Sequence, residues 1–518
     1  MDLNVSQEAP SVRTDIRHTY LLVGSIAFVQ FVLHACAFQS YGYFRDELYY
    51  LASTSHIALG YVEHPPLSIY ILAAWTTVFG DSLIATRTLS ALFSAGFVVL
   101  TGLIVREIRG GLVAQGVASL AIALTPVVLG SHFFYSMNSI DHFFWALIGL
   151  TFVITLEKGD RRLWILLGFL LGLGLLNKVS VAWLIVGIGA ALVLTPHRRW
   201  LATRWPWLAG AIAAVIFLPY VIWQAQHDFP FLEFMRNASQ RKNVHQGPLG
   251  FLLIQLSVAP QLAPLLLVGT FGLFVKEVRR WSALPIIFIT TAAILIISGS
   301  SKDYYLVGAY PFAAVPGAIV VERALWRRGW RWLLAAYVMI IVVVGAIGAP
   351  FAIPLLPAEK FIAYRSSMGL STQPQERHQM GPLPQHFADM FGWQEMAENV
   401  ARIYQTLSPE EQTHTVVFGQ DYGQAGAIDI LGRRLGLPHA ISGHNSYWIW
   451  GPGETTGATF IVIDGDSTDL SKGFESVQLA GLTDHPYAMP FERNLPLFIC
   501  RKARIPISDN WAKTKDFI

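Results

Sequence analysis

The sequence predicts a polytopic α-helical membrane protein followed by a small α/β domain, and three observations lead to that reading. Of 518 residues, 53% are hydrophobic and only 14% charged, and the apolar residues gather in runs rather than in amphipathic stripes. Each run is about 20 residues long, enough for a helix to cross a hydrocarbon core of about 30 Å. Clusters of Arg and Lys fall on alternate connections between the runs, and the last third of the chain contains no run at all.

The apolar runs lie at about 19–38, 84–105, 112–130, 139–156, 162–176, 179–195, 207–225, 249–273, 282–298, 304–321 and 331–352, which predicts about 11 transmembrane helices. The first run has no small-residue cleavage site after it and is expected to stay as a helix. The basic clusters are Arg13 and Arg17; Arg106 and Arg109; Lys158, Arg161 and Arg162; Arg198, Arg199 and Arg204; Lys276, Arg279 and Arg280; and Arg323, Arg327, Arg328 and Arg331. All fall on one side if the run count is right, because one missed or invented helix would move later clusters to the other face. Short basic loops stay in the cytoplasm. The expected protein therefore has a cytoplasmic N-terminus, a membrane domain over 1–353 with an external loop at 39–83, and an external domain over 354–518. The net charge of +3 resides in those loops, so it reports orientation and not a nucleic-acid partner. Cys36 and Cys500 supply no disulfide framework and match no metal-ligand spacing.

In the external tail, THTVVFG at 413–419, TFIVIDG at 459–465 and PLFICRK at 496–502 read as strands, and QAGAIDILGRRLG reads as a helix closed by glycine. The segment FGQDYGQAGAID places glycines after a strand but fits neither the dinucleotide nor the P-loop pattern, and a structural role is expected. SGHNSYWIWGP at 442–452 sets Tyr447, Trp448 and Trp450 beside His444 and Asn445. Stacking faces beside hydrogen bonders suit carbohydrate contact, while an aromatic plug packing the tail onto the membrane domain fits equally well.

The chemistry is expected in the first external loop. Residues 43–67, YFRDELYYLASTSHIALGYVEHPPL, crowd Arg45, Asp46, Glu47, Glu63 and His64 against a bilayer. A charge at mid-membrane costs about 2.5 to 3.5 kcal/mol on insertion scales, so such clusters are usually retained for function. Asp46 to Gly60 suits a short helix along the membrane surface, ended by Pro65-Pro66. As first-turn residues, Asp46 and Glu47 also have a plain reading as charges complementing the helix dipole. Asn138, Asp141, Asn177, Lys178, His227, Asp228, Arg236, Arg241, Lys242, His245 and the run Ser301 to Tyr305 join them on the external side. External cations in short loops run against the charge bias and point to an anion there.

Five motifs in order, RDELYY, GYVEHPPL about 15 residues on, NSIDHFFW, GLGLLNK and SKDYYLVGAYP, resemble glycosyltransferase family 39. That family lies in the GT-C superfamily, with the protein O-mannosyltransferases and the lipid A aminoarabinose transferase. The similarity covers about residues 15–350 and is nearest to bacterial members of the rhizobial lipopolysaccharide galacturonosyltransferase kind. It implies a GT-C fold in a bacterial inner membrane. It also implies transfer of a sugar, with inversion, from a polyprenyl monophosphate to an external acceptor: lipopolysaccharide, another envelope glycan or protein. The family's catalytic aspartate matches Asp46, and its basic residue before the paired tyrosines Tyr304 and Tyr305 matches Lys302.

The residues themselves suit those parts. A carboxylate within hydrogen-bond reach takes the proton of an acceptor hydroxyl, a contribution of about 10² to 10⁴ in rate. Asp46 is the expected base and Glu47 the fallback, since neighbours on a helix point about 100° apart. Lys302, Arg241 and Lys242 would stabilise the charge growing on the leaving phosphate. Arg45, Glu63, His64 and Asp141, with His444, Asn445 and Trp448 of the tail, are the expected substrate contacts. Asp141 would hold the acceptor or orient a cation, and Arg45 or Arg236 would suit a uronic acid. Asp46, Glu47 and Asp141 offer oxygens to Mg²⁺ or Mn²⁺, but family 39 members with monophosphate donors resemble metal-independent enzymes, so no cofactor is expected. A transporter or flippase of a lipid-linked sugar is the alternative from another class. Such proteins usually carry internal repeats and midplane polar groups, and this sequence shows neither. A non-catalytic scaffold would keep the fold and tolerate loss of Asp46.

Overall fold

A computed structural model describes residues 15–272, 279–299, 302–371, 376–453, 455 and 458–518; Arg13, Lys276 and Ser301 lie outside the described residues. The N-terminal body comprises α1 (Ile16–Ala35), α2 (Arg45–Ser53), α3 (Leu67–Phe79), α4 (Leu83–Glu107), α5 (Leu112–Ala123), α6 (Pro126–Ser131), α7 (Met137–Lys158) and α8 (Leu163–Asn177). It continues with α9 (Val181–Leu194), α10 (Trp205–Gln226), α11 (Pro230–Asn237), α12 (Pro248–Val258), α13 (Ala263–Phe271), α14 (Ala283–Ser298), α15 (Tyr310–Arg327) and α16 (Arg331–Ala352). Among the described residues, six helices are each long and apolar enough to cross a membrane: α1, α4, α7, α10, α16, and α15 with the 3₁₀ turn Asp303–Ala309 before it. The chain is thus a multi-pass membrane protein.

Several expected spans are built from pieces. The run at 112–130 breaks between α5 and α6, where Thr125 leaves the helical region ahead of Pro126. The run at 249–273 breaks between α12 and α13, where Ala259 does the same before Pro260. A proline's Cδ crowds the residue before it out of the α region, so both breaks follow from the sequence. The loop expected at 39–83 also holds a helix of its own: α3 has 13 apolar-rich residues. At 1.5 Å per residue it is about 20 Å long, too short to cross.

Small residues let the pieces close up. A Cβ on Gly269 of α13 would overlap the Ala313 carbonyl of α15, and one on Gly317 would overlap that of Leu265. Backbone contact of this kind is how apolar helices gain packing energy in lipid. At one end of the body the basic clusters do meet: Arg109 and Arg280 both reach Glu157, and Arg323 donates to the Arg109 carbonyl.

The tail adds α17 (Ala358–Ser367), α18 (Gln385–Ala388), α19 (Trp393–Thr406), α20 (Pro409–Thr413), α21 (Tyr422–Ile430), α22 (Ser446–Trp450), α23 (Ser467–Gly473) and α24 (Ile507–Asn510) around one sheet. Its strands are β1 (Thr415–Gly419), β2 (Ala440–Ile441), β3 (Thr459–Ile463), β4 (Phe474–Thr483) and β5 (Leu495–Ala503), in the order β2-β1-β3-β5-β4. β1 lies parallel to β2 and β3, and the β3/β5 and β5/β4 pairs are antiparallel. The three expected strands form the centre. β4 escaped the sequence reading because it is an exposed edge strand, with a register shift at Leu479/Gly481 that breaks its alternation.

Candidate active site

The site grows out of α2. Glu47, at the third helical position, accepts from the Phe44 backbone N–H at 2.9 Å and so closes the start of the helix. Its oxygens also take the Tyr135 N–H at 3.1 Å and the guanidinium of Arg87 at 3.3 and 3.4 Å. Arg87 in turn donates to the carbonyls of Phe38 and Gly42. Glu47 and Arg87 are both fully buried. The fallback role for Glu47 is therefore corrected: its oxygens are occupied, and it fastens α1, α2, α4 and the approach to α7 together.

Asp46, one residue earlier, points elsewhere. It is half-buried, and its Oδ1 accepts from the Tyr422 hydroxyl at 2.8 Å. Around it stand Glu63, Lys242, Tyr304 and Asp389, each close enough to feel its charge. Glu63 accepts from the Tyr49 hydroxyl at 3.1 Å, and burial pushes its carboxyl up to about 8, so it is largely protonated at neutral pH. His64 Nδ1 donates to the Pro65 carbonyl at 2.9 Å, the ring stacks on Tyr50, and burial lowers it to about 4. A neutral ring in that tautomer presents Nε2 as an acceptor, 4.0 Å from Glu63 Oε1. His64 therefore suits a hydroxyl donor and not a phosphate.

Cations converge from three other segments. Lys302 Nζ is 2.7 Å and Lys242 Nζ 3.9 Å from Glu376 Oε1, while Gln385 donates to Oε2 at 2.9 Å. Burial alone would raise the Glu376 carboxyl, but Lys302, Lys242 and Arg45 hold it well below the usual range. Lys178 donates to Asn138 Oδ1 at 2.7 Å, sits 3.8 Å from Asp141 Oδ2, and lies 5.6 and 5.0 Å from the ring centroids of Tyr304 and Tyr305. Asp141 also accepts from Ser180 at 2.7 Å. It thus lies between the Lys178 ammonium and the Ser180 hydroxyl. Arg45 lies over the Tyr422 ring at 5.2 Å and beside Asp389, whose carboxyl burial pushes up to about 6.

Other expected contacts fall outside this cluster. Arg241 pairs with Asp516 at 2.8 Å, about half exposed, and Arg236 is exposed. His227 stacks on Trp223 and donates to its carbonyl, and His245 packs beside Gly299. His444 and Asn445 both hold Ile518, and the Trp448 and Trp511 indoles each donate to the other's carbonyl. The carbohydrate reading of His444, Asn445 and Trp448 is corrected accordingly: they pack the tail on itself, while Tyr447 and Trp450 lie against Tyr49 as the plug reading expects. Asp46, Glu47 and Asp141 have separate partners and form no shared oxygen site. Lys178 was expected on the external side with no role assigned, and Glu376, Arg87 and Tyr422 were missed as site residues, with nothing local to mark them.

The structure matches that of ArnT from Cupriavidus metallidurans bound to undecaprenyl phosphate with a TM-score of 0.61, at 14% identity over 93% of this chain and 97% of that one. Residues 63–223 match the family described as dolichyl-phosphate-mannose-protein mannosyltransferase, a span that holds Glu63, His64, Asp141 and Lys178 but begins after Asp46. Lipid A galacturonosyltransferase RgtD of Rhizobium johnstonii is 25% identical over 310 residues, 57% of this chain and 62% of that protein. An undecaprenyl phosphate-alpha-4-amino-4-deoxy-L-arabinose arabinosyl transferase of Pseudomonas fluorescens is 24% identical over 61% of this chain and 56% of its own length. The chain thus spans about three-fifths of the length of the curated relatives it matches.

Proposed function

We propose that this protein moves a sugar from a polyprenyl monophosphate to a hydroxyl of an envelope acceptor on the outer side of the cytoplasmic membrane, with inversion. The observation that carries the reading is a half-buried carboxylate, Asp46, close enough to Lys242 to act on its charge, with Lys302 and Lys178 gathered at the neighbouring Tyr304. A base and an anion site side by side are what glycosyl transfer from a lipid phosphate requires. The relatives' acceptor and donors, lipid A and undecaprenyl-phosphate sugars, support the same class of substrates.

Asp46 takes the proton of the acceptor hydroxyl as its oxygen bonds to the anomeric carbon. The bond from that carbon to the phosphate oxygen breaks on the opposite face, and the lipid phosphate leaves with the electron pair. Lys302, Lys242 and Lys178 stabilise the charge that accumulates there. Glu376 holds Lys302 and Lys242 together, and His64 and protonated Glu63 offer neutral hydrogen bonds to the sugar or the acceptor. No step uses a metal ion. The end of the body bearing Arg109 and Arg280 faces the cytoplasm, with α2 and the tail outside.

Transfer of labelled sugar from defined polyprenyl monophosphate donors to envelope extract, with the purified full chain, tests the reading. Asp46→Asn should lose at least about a hundredfold in rate while remaining folded. Full activity in that variant would remove Asp46 from the chemistry, and transport of lipid-linked sugar into liposomes without transfer would replace the enzyme reading.

A further inference from the structure

We propose that Tyr422, carried by the tail, is a positioning residue for the proton transfer, so that the C-terminal domain is part of the active site and not an appendage to it. The inference rests on the reading of Asp46 as the base. α21 lies along α2 in direct backbone contact: a Cβ on Gly426 would stand 3.1 Å from the Leu48 carbonyl carbon, and one on Gly423 would strike the Arg45 side chain. Gly423 and Gly426 of FGQDYGQAGAID thus serve close approach to another helix.

That approach brings the Tyr422 hydroxyl 2.8 Å from Asp46 Oδ1. Three contacts fix the donor. Its backbone N–H donates to His444 Nδ1 at 3.2 Å, Asp421 caps α21 behind it, and its ring packs at a tilt against Tyr49, centroids 4.8 Å apart, under the Arg45 guanidinium. His444 is held in the matching tautomer, because its Nε2–H donates to the Ile518 carbonyl at 2.9 Å. Among the described residues no other donor reaches the Asp46 side chain. Oδ1 is therefore committed to the tail and Oδ2 is presented to the acceptor hydroxyl.

The phenol keeps its proton throughout. Burial and the adjacent carboxylate push Tyr422 well above its ordinary value, so it donates to Asp46 and does not exchange with it. A donor of this kind holds the carboxylate in one orientation, with its second oxygen free to meet the acceptor. The packing against Tyr49 needs only the ring, whereas positioning the carboxylate needs the hydroxyl, and this separates the functional role from a structural one.

The experiment measures kcat and donor KM of sugar transfer for wild type, Tyr422→Phe, Tyr422 replaced by 3-fluorotyrosine, and Asp46→Asn, in the full chain. Tyr422→Phe should cut kcat about tenfold and leave the donor KM unchanged. The fluorinated phenol is a stronger donor of the same shape, and should change kcat with the donor KM again unchanged. Should the Phe variant not fold, the fluorotyrosine change in kcat alone decides. Unchanged kcat in these variants with inactive Asp46→Asn overturns the role of Tyr422 and leaves the base reading intact; an active Asp46→Asn overturns both.

Discussion

Both ends of the helical body gather Arg, Lys, Asp and Glu, yet the two gatherings differ in kind. At the end formed by α4, α7 and α15, Arg109 and Arg280 are more than half exposed and share Glu157. At the other end, Glu47 and Arg87 are wholly buried, Glu376 is 4% exposed, and Asp141 and Lys178 are nearly so. Charge content cannot separate the ends, but desolvation can. Solvated charges cost little and report orientation, whereas buried charges persist only when each is compensated. The second end is where a lipid phosphate or a proton would encounter fields not screened by water.

The largest effect should come from breaking the buried end. Glu47→Ala strips Arg87 of its partner and leaves the Phe44 and Tyr135 N–H groups without an acceptor. Removal of one member of a buried ion pair costs about 3 to 5 kcal/mol. Little folded protein should survive detergent extraction, as size-exclusion chromatography would show; a monodisperse, active Glu47→Ala protein would mean that the pair is dispensable.

Lys302→Ala should come next, and chiefly in rate. Loss of a fixed cation at a developing oxyanion costs about 10² to 10³, so transfer should fall by that order; melting should also fall, by less than in Glu47→Ala, because Lys242 and Gln385 still contact Glu376. Replacing Arg109 by Ala should leave the rate unchanged. Equal losses in the two variants would show that the distinction between the ends does not extend to catalysis.

How legible this was in the sequence depends on distance along the chain. Asp46, Glu63 and His64 share one loop and could be read as a cluster, and the apolar runs located nearly every helix of the body. Glu47 was misassigned because its partner Arg87 lies 40 positions away, with nothing local to link them. Glu376 sits 74 positions from Lys302, and Tyr422 376 positions from Asp46. The tail aromatics looked like a sugar platform because stacking faces serve packing and recognition alike. α3 was hidden for a different reason: a short apolar helix between two spans has the composition of either neighbour.

Acidity sharpens the comparison further. The folded carboxyl of Glu63 is raised to about 8 from an ordinary value of 4.5. Between those pH values the folded state holds a proton that the unfolded chain has released, so stability falls as pH rises through that window. Above it the cost is complete, and below about pH 4.5 it is absent. Thermal melting of wild type should therefore decline from pH 5 to pH 8.5, and Glu63→Gln should decline less over the same range. Parallel slopes would place the titration elsewhere.

The smallest effect belongs to the exposed end. Arg280 and Arg109, both more than half exposed, share the partly buried Glu157 carboxylate, and a pair with an exposed cation contributes about 0 to 1 kcal/mol that salt screens. Arg280→Ala should leave melting within a few degrees of wild type, and the small difference should shrink further at 0.5 M salt. The cost of that substitution should appear in topology instead. Removing Arg279 and Arg280 together weakens one cluster of the charge bias, so reporter fusions after α14 should show a mixed orientation while the folded fraction keeps its stability. A stability loss as large as that of Glu47→Ala would show that Glu157 and its two arginines are desolvated, and the contrast between the two ends would fail.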